Sequence, residues 1–156
     1  MELPFLYSVE REYEVDLDRM WRAWTDAAEL EQWHFPTELA AVPGVTVSDA
    51  EAGGRWKVAV DVAEHGFNAY FWGRYTDVET GRRLAHTLCY SQDRAEFDAA
   101  DDNAPHHDIV VDFEERGGRV WVRFTQYGEM AAEQVPRTQA GMESYFDSLG
   151  AYLARN

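Results

Sequence analysis

QVPRTQAGMESYFDSLGAYLA, residues 134–154, sets Met142, Tyr145, Phe146, Leu149, Tyr152 and Leu153 three and four positions apart, so all six fall on one stripe of a helix. A stripe that long needs an apolar surface to cover it, and the sequence before it supplies one. Val120, Val122 and Phe124 alternate with other residues beyond a Gly117-Gly118 hairpin turn, and Ile109, Val111 and Phe113 alternate before it. Further upstream, 82–91 and 67–78 read as strands joined at Thr80-Gly81. His65-Gly66 leads back to a strand carrying Trp56, Val58, Val60 and Val62, and Gly53-Gly54 leads back to a short one at Val45 to Ser48. Residues 5–15 read as the first strand. Between it and the others, Asp16 caps a helix with Leu17, Met20, Trp21 and Trp24 on one side. Asp26 restarts a second helix, with Glu29 at capping-box spacing, and Pro36 ends it. Strands joined by tight turns pair antiparallel, and an apolar sheet face has to be buried. The chain is therefore α+β: a curved antiparallel sheet of six to seven strands wrapped around a long C-terminal helix, with two short helices after the first strand.

Composition narrows the rest. With 156 residues, 46% of them hydrophobic, the whole of 1–156 makes one domain with a substantial core. No apolar run reaches the ~20 residues of a membrane-spanning helix. Met1-Glu2-Leu3-Pro4 lacks a basic segment followed by an apolar one, so the expected location is cytoplasmic. The lone cysteine, Cys89, excludes an intramolecular disulfide and a cysteine-based zinc cage. The net charge of −15 disfavours nucleic acid and anionic membrane surfaces as partners. Lys57 is the one lysine among the basic residues, a bias that both a GC-rich genome and a salt-loving host would produce. Residues 93–108 hold six acids and one arginine around Pro105 and read as an exposed loop.

Several short motifs, in order, resemble a known family. They are Met20-Trp21-Arg22-Ala23-Trp24-Thr25-Asp26, then Leu30-Glu31-Gln32-Trp33 with Pro36, then Gly53-Gly54-Arg55-Trp56. Phe71-Trp72-Gly73-Arg74-Tyr75 with Leu84 and Thr87 follows, then Thr125-Gln126, then Gly141 ahead of Phe146, Leu149, Tyr152 and Leu153. Over about residues 8–154 this pattern resembles the START-like (SRPBCC, helix-grip) superfamily. Within it, the pattern is similar to the homologues of the ATPase activator of the ninety-kilodalton heat-shock chaperone. Met142 stands where that branch usually has tryptophan, and the acidic segment 93–108 is longer than the branch's. The resemblance implies a cavity between sheet and C-terminal helix that takes apolar small molecules. Relatives include lipid carriers, polyketide cyclases and aromatases, hormone-binding and allergen proteins, and resistance proteins. The activator's separate N-terminal domain has no counterpart in these 156 residues. A fold of this breadth does not fix a function.

The residues themselves offer little catalytic chemistry. Phosphate-binding glycine loops, His-Glu-x-x-His and the Gly-x-Ser-x-Gly elbow are all missing from the sequence. His106-His107 reads as part of the solvated loop, His65 as a turn residue, and His34 as a cation offsetting a helix C-terminus. His86 is in phase with Leu84 and Leu88 and points inward. Gln126 is in phase with Phe124, and an inward amide needs partners that backbone, water or a ligand could supply. Cys89 is a packing residue with no neighbouring cation to activate it. Asp61, Asp77, Glu79, Asp112 and Glu114 read as a solvated face. Tyr70, Trp72 and Trp121 fall on the outer sheet face, where a shared patch would serve a two-fold homodimer.

The expected function is binding of an apolar or aromatic small molecule, lipid- or polyketide-like, without a cofactor or metal and with no catalytic residue assigned. The expected cavity draws Met142, Tyr145, Phe146 and Leu149 from the last helix. The sheet gives Trp56, Val58, Phe71, Tyr75, His86, Leu88, Phe124 and Gln126, and Trp33 with Phe35 closes one end. The competing classes are a cyclase- or aromatase-like enzyme working through His86 and Gln126, and a chaperone ATPase activator-like partner.

Overall fold

The computed structural model describes residues 2–155. β1 (Phe5–Tyr13) leads into α1 (Leu17–Thr25) and α2 (Ala27–Trp33). Both helices begin where an aspartate can hold free N–H groups: Asp16 accepts from the Arg19 amide at 2.7 Å, and Asp26 from the amides of Ala28 and Glu29. Glu29 does not close the capping box back onto Asp26. Its carboxylate takes a short bond from Arg19 and a 3.0 Å bond from the Tyr152 hydroxyl, which ties α2 to the C-terminal helix.

β2 (Ala40–Ala41), β3 (Val47–Ser48), β4 (Arg55–Val62), β5 (Phe67–Glu79) and β6 (Arg83–Ser91) follow, then α3 (Arg94–Ala99), β7 (His107–Arg116), β8 (Arg119–Tyr127) and α4 (Val135–Arg155). The sheet runs β1-β8-β7-β6-β5-β4-β2, with β3 also on β4, and every pairing is antiparallel. The two-residue β2 bridge has no alternation to betray it in sequence. The sheet curls into a half-barrel around α4. Phe146 and Leu149 of α4 are sealed in one core with Trp24, Trp33, Val111, Val120 and Val122. The Trp33 indole N–H donates to the Ala23 carbonyl at 2.8 Å, which fixes the α1–α2 corner.

Gly73 on β5 marks a close approach between strands. A Cβ there would sit 2.0 Å from the carbonyl oxygen of Thr87 on β6, so the strand pair closes only around glycine. The Thr87 hydroxyl accepts from the Arg74 amide at 3.0 Å at the same place.

The segment 93–108 differs from the expected exposed loop. Its middle forms α3, capped by Asp93, and Phe97 is 1% exposed. Phe97 packs on Tyr70 with ring centres 4.9 Å apart, and the Trp72 indole N–H donates to the Asp101 carbonyl at 3.2 Å. Lys57 places its ammonium 4.1 Å from the centre of the Phe97 ring. Tyr70 and Trp72 do lie on the outer sheet face, but α3 covers them together with Cys89. Trp121 lies apart from that cluster, between the guanidiniums of Arg116 and Arg123 at 4.5 and 5.1 Å. The exposed patch of Tyr70, Trp72 and Trp121 expected for a homodimer therefore does not exist. Phe97, with Ala100 and Ala104 from the same acidic stretch, seals Tyr70 and Trp72.

Candidate functional site

One row of residues crosses the inner face of the half-barrel. Tyr7 on β1 lies opposite Gln126 on β8, Gln126 opposite Ile109 on β7, and Ile109 opposite His86 on β6. Residues paired in register share a sheet face, so these four point together at α4. Above them the helix presents Thr138, Gly141, Met142 and Tyr145, three and four apart on its first turns. Trp56, Phe71, Leu88, Phe124 and His34 close the sides of a pocket of about 230 Å³ whose lining is mostly apolar. Among the described residues no lysine, arginine, aspartate or glutamate lines it.

Trp56 and His86 stack with centres 4.1 Å apart, across the position of Gly73, which pairs with Trp56 and has no side chain to intervene. His86 Nδ1 lies 2.8 Å from the Thr87 carbonyl oxygen. A carbonyl only accepts, so Nδ1 carries the hydrogen and Nε2 is left with its lone pair. Burial lowers the His86 pKa to about 4, which keeps the ring neutral. His34 is lowered to about 3, first by burial and then by the proximity of His86. It is therefore not the cation expected at the end of α2. Its ring is enclosed by Trp33, Trp56 and Tyr145 at 5.1, 5.8 and 5.0 Å, and its Nδ1 is buried with no hydrogen-bond partner.

Gln126 has its partners within the protein. The Tyr7 hydroxyl donates to Oε1 at 2.6 Å, and Nε2 donates to His107 Nδ1 at 2.7 Å. His107 Nδ1 is thus an acceptor, and its Nε2–H donates to the Glu129 carbonyl at 3.1 Å. His107 is not a solvated loop residue: it opens β7 in phase with Ile109. Burial raises the Tyr7 pKa, so this phenol too stays neutral. Tyr145 is raised for the same reason, and its hydroxyl has no partner among the described residues.

Of the residues expected around a cavity, Trp56, Phe71, His86, Leu88, Phe124, Gln126, Met142 and Tyr145 come together here. Trp33, Val58, Phe146 and Leu149 lie in the filled core instead. Tyr75 stands behind His86, edge-on at 5.9 Å, with its hydroxyl 2.7 Å from Ser48 Oγ. Phe35 belongs to a cluster with Val60, Val62 and Phe71 and does not line the pocket. Tyr7, His34, Ile109, Thr138 and Gly141 complete the lining. The sequence signals for Tyr7 and Ile109 were the alternation of the first and seventh strands, and for Thr138 and Gly141 the continuation of the helical stripe; His34 had none. The pocket continues outward past Phe71, Leu88 and Thr138 into a groove bordered by Tyr90, Pro105 and Met130. Among the described residues no three His, Cys, Asp or Glu side chains converge to hold a metal ion.

Residues 14–154 match the family model described as activator of Hsp90 ATPase homolog 1-like protein, and the chain belongs to that family. The fold is shared with the AHSA1 protein of Silicibacter pomeroyi, at TM-score 0.79 and 21% identity over 95% of this chain and 96% of that one. A Chromobacterium violaceum protein aligns with TM-score 0.77 and 21% identity over 95% and 96% of the two chains. CalU16 of Micromonospora echinospora aligns at 0.63 and 18% identity over 93% and 73%. At these identities the likeness concerns the fold alone. No curated protein matches the chain.

Proposed function

We propose that this domain binds a small apolar, aromatic molecule in the pocket between the inner sheet face and the first turns of α4. The observation that carries the reading is the lining itself: aromatic walls, a few neutral polar groups and no charged side chain around about 230 Å³. Such a surface gains from displacing water with an apolar ligand and has no means to compensate an ion for lost hydration. The size points to one or two rings, since an apolar cavity of ~150 Å³ already admits benzene and drug-sized ligands need ~300 Å³ or more.

The test is to fill the space from the helix. A Cβ on Gly141 meets nothing within 4 Å, so Gly141→Leu projects into the pocket without a backbone clash. In a fluorescence titration with naphthalene, the unmodified protein should bind with quenching of Trp56, and the Gly141→Leu protein should not. The variant should also unfold at higher urea, by roughly 1 kcal/mol from helix propensity alone. Equal probe binding by both proteins would refute the reading. Leu149 is unsuitable for this purpose because it is already packed in the filled core.

A further inference from the structure

Polar groups around the pocket divide into those that are satisfied and those that are not. Gln126 and Tyr7 are engaged with each other and with His107. The unengaged groups on lining residues are His34 Nδ1, which is sealed from the surface, and His86 Nε2 and the Tyr145 hydroxyl. The Nδ1–H bond to Thr87 holds His86 in the tautomer that leaves Nε2 unprotonated, and among the described residues no donor reaches that nitrogen. The pocket therefore offers one acceptor on a fixed, stacked ring and one phenolic donor on the facing helix.

We propose that the ligand is a neutral hydroxyaromatic molecule of one or two rings, whose O–H donates to His86 Nε2 and whose oxygen accepts from the Tyr145 hydroxyl. The proposal rests on the reading of this pocket as an aromatic binding site and adds the ligand's polar group. A hydroxyl both donates and accepts, as this pair requires. A carbonyl or carboxylate only accepts and would set its lone pairs against that of Nε2. A pyrrole-type N–H only donates and would leave Tyr145 unmatched. A carboxylate would also enter a lining with no cation. The ring of the ligand has aromatic neighbours in Trp56, Phe71 and Phe124.

Three probes of one shape separate this proposal from the reading beneath it: naphthalene, 2-naphthol and 2-naphthoate, titrated calorimetrically at neutral pH. The expected order is naphthol tightest, by about tenfold over naphthalene, with naphthoate weakest. His86→Phe keeps an aromatic ring against Trp56 but removes the acceptor. Whatever the larger ring does to the affinity for naphthalene, this variant should bind naphthol no better than naphthalene. Tyr145→Phe should lower the naphthol preference without reversing it. In the unmodified protein, the nitrogen resonance of His86 Nε2 should shift on adding naphthol and not naphthalene, a readout that needs no variant to fold. Equal affinity for naphthol and naphthalene would overturn the hydroxyl proposal and leave the aromatic pocket standing. Binding of none of the three would overturn both.

Discussion

His34 and His86 are both buried beside the pocket, and their burial should be visible as a pH dependence of folding. In the unfolded chain each titrates near 6.5, whereas in the fold His34 is lowered to about 3 and His86 to about 4. Below pH ~6.5 the unfolded chain binds protons that the folded protein refuses, so acid favours unfolding. Their contribution is intact above pH ~6.5 and is lost as the pH falls toward the folded values. Each refused proton changes stability by ~1.4 kcal/mol per pH unit, which gives about 2 kcal/mol per histidine between pH ~6.5 and ~5, or about 4 for the pair. Among the described residues no carboxylate lines the pocket to offset this. Acidification also relieves repulsion in a chain of net charge −15, an opposing effect common to the protein and its variants. The assay is urea unfolding at about pH 7.5 and about pH 5 at fixed ionic strength, for the unmodified protein and a His34→Phe/His86→Phe variant. The unmodified protein should lose about 4 kcal/mol more than the variant over that interval. Parallel losses in the two proteins would refute the claim that these rings are held neutral.

Two further outcomes follow from the packing. Gly73→Ala, with its new Cβ 2.0 Å from the Thr87 carbonyl oxygen, should destabilise by about 3 kcal/mol or more in urea unfolding and displace the carbonyl that fixes the His86 tautomer. Phe97→Ala should cost about 3–5 kcal/mol, shift tryptophan emission to the red as Trp72 meets water, and make Cys89 react with a thiol reagent, to which it should be inert in the unmodified protein.

Regular alternation and helical spacing made most of the fold legible. Ile109, Val111 and Phe113 alternate along their whole strand, and Phe146, Leu149 and Leu153 hold one helical stripe, because in both cases the buried face is continuous. The same logic placed His86 and Gln126 inward. It failed where burial depends on one residue. Phe97 stands alone among acids, so no period announces α3, and without α3 the outer-face Tyr70 and Trp72 read as exposed. It failed for His34 because a position after a helix says nothing of what packs over it. For Gln126 the register pair Tyr7 and the in-phase His107 were both in reach, but side-chain partners across strands need the register itself, which the sequence does not state.

The pocket's position follows from a size gradient along α4. Its first turns face the sheet with Thr138, Gly141 and Met142 ahead of Tyr145, and its later turns with Phe146, Leu149 and Leu153. Opposite the large residues the half-barrel is filled to closure. Opposite the small ones the sheet presents Tyr7, Gln126, Ile109 and His86, a mixed polar row that solid aliphatic packing would not favour. Gly141 lies in the middle of a helix, where glycine costs roughly 0.5–1 kcal/mol relative to alanine, and the space above its absent side chain is open. His34 Nδ1 is left unpartnered at the same end, a further cost of ~1–3 kcal/mol. Filling the gap from Gly141 would remove the glycine penalty, so the fold would be more stable without the pocket. Gly141 and the unpartnered His34 Nδ1 meet at this one opening, and the filled core carries a comparable cost of its own in the unpartnered Trp24 Nε1. On the reading proposed above, the open space at Gly141 is stability given up for the site, and ligand selectivity should be sought where Gly141 and Tyr145 face the His86 row.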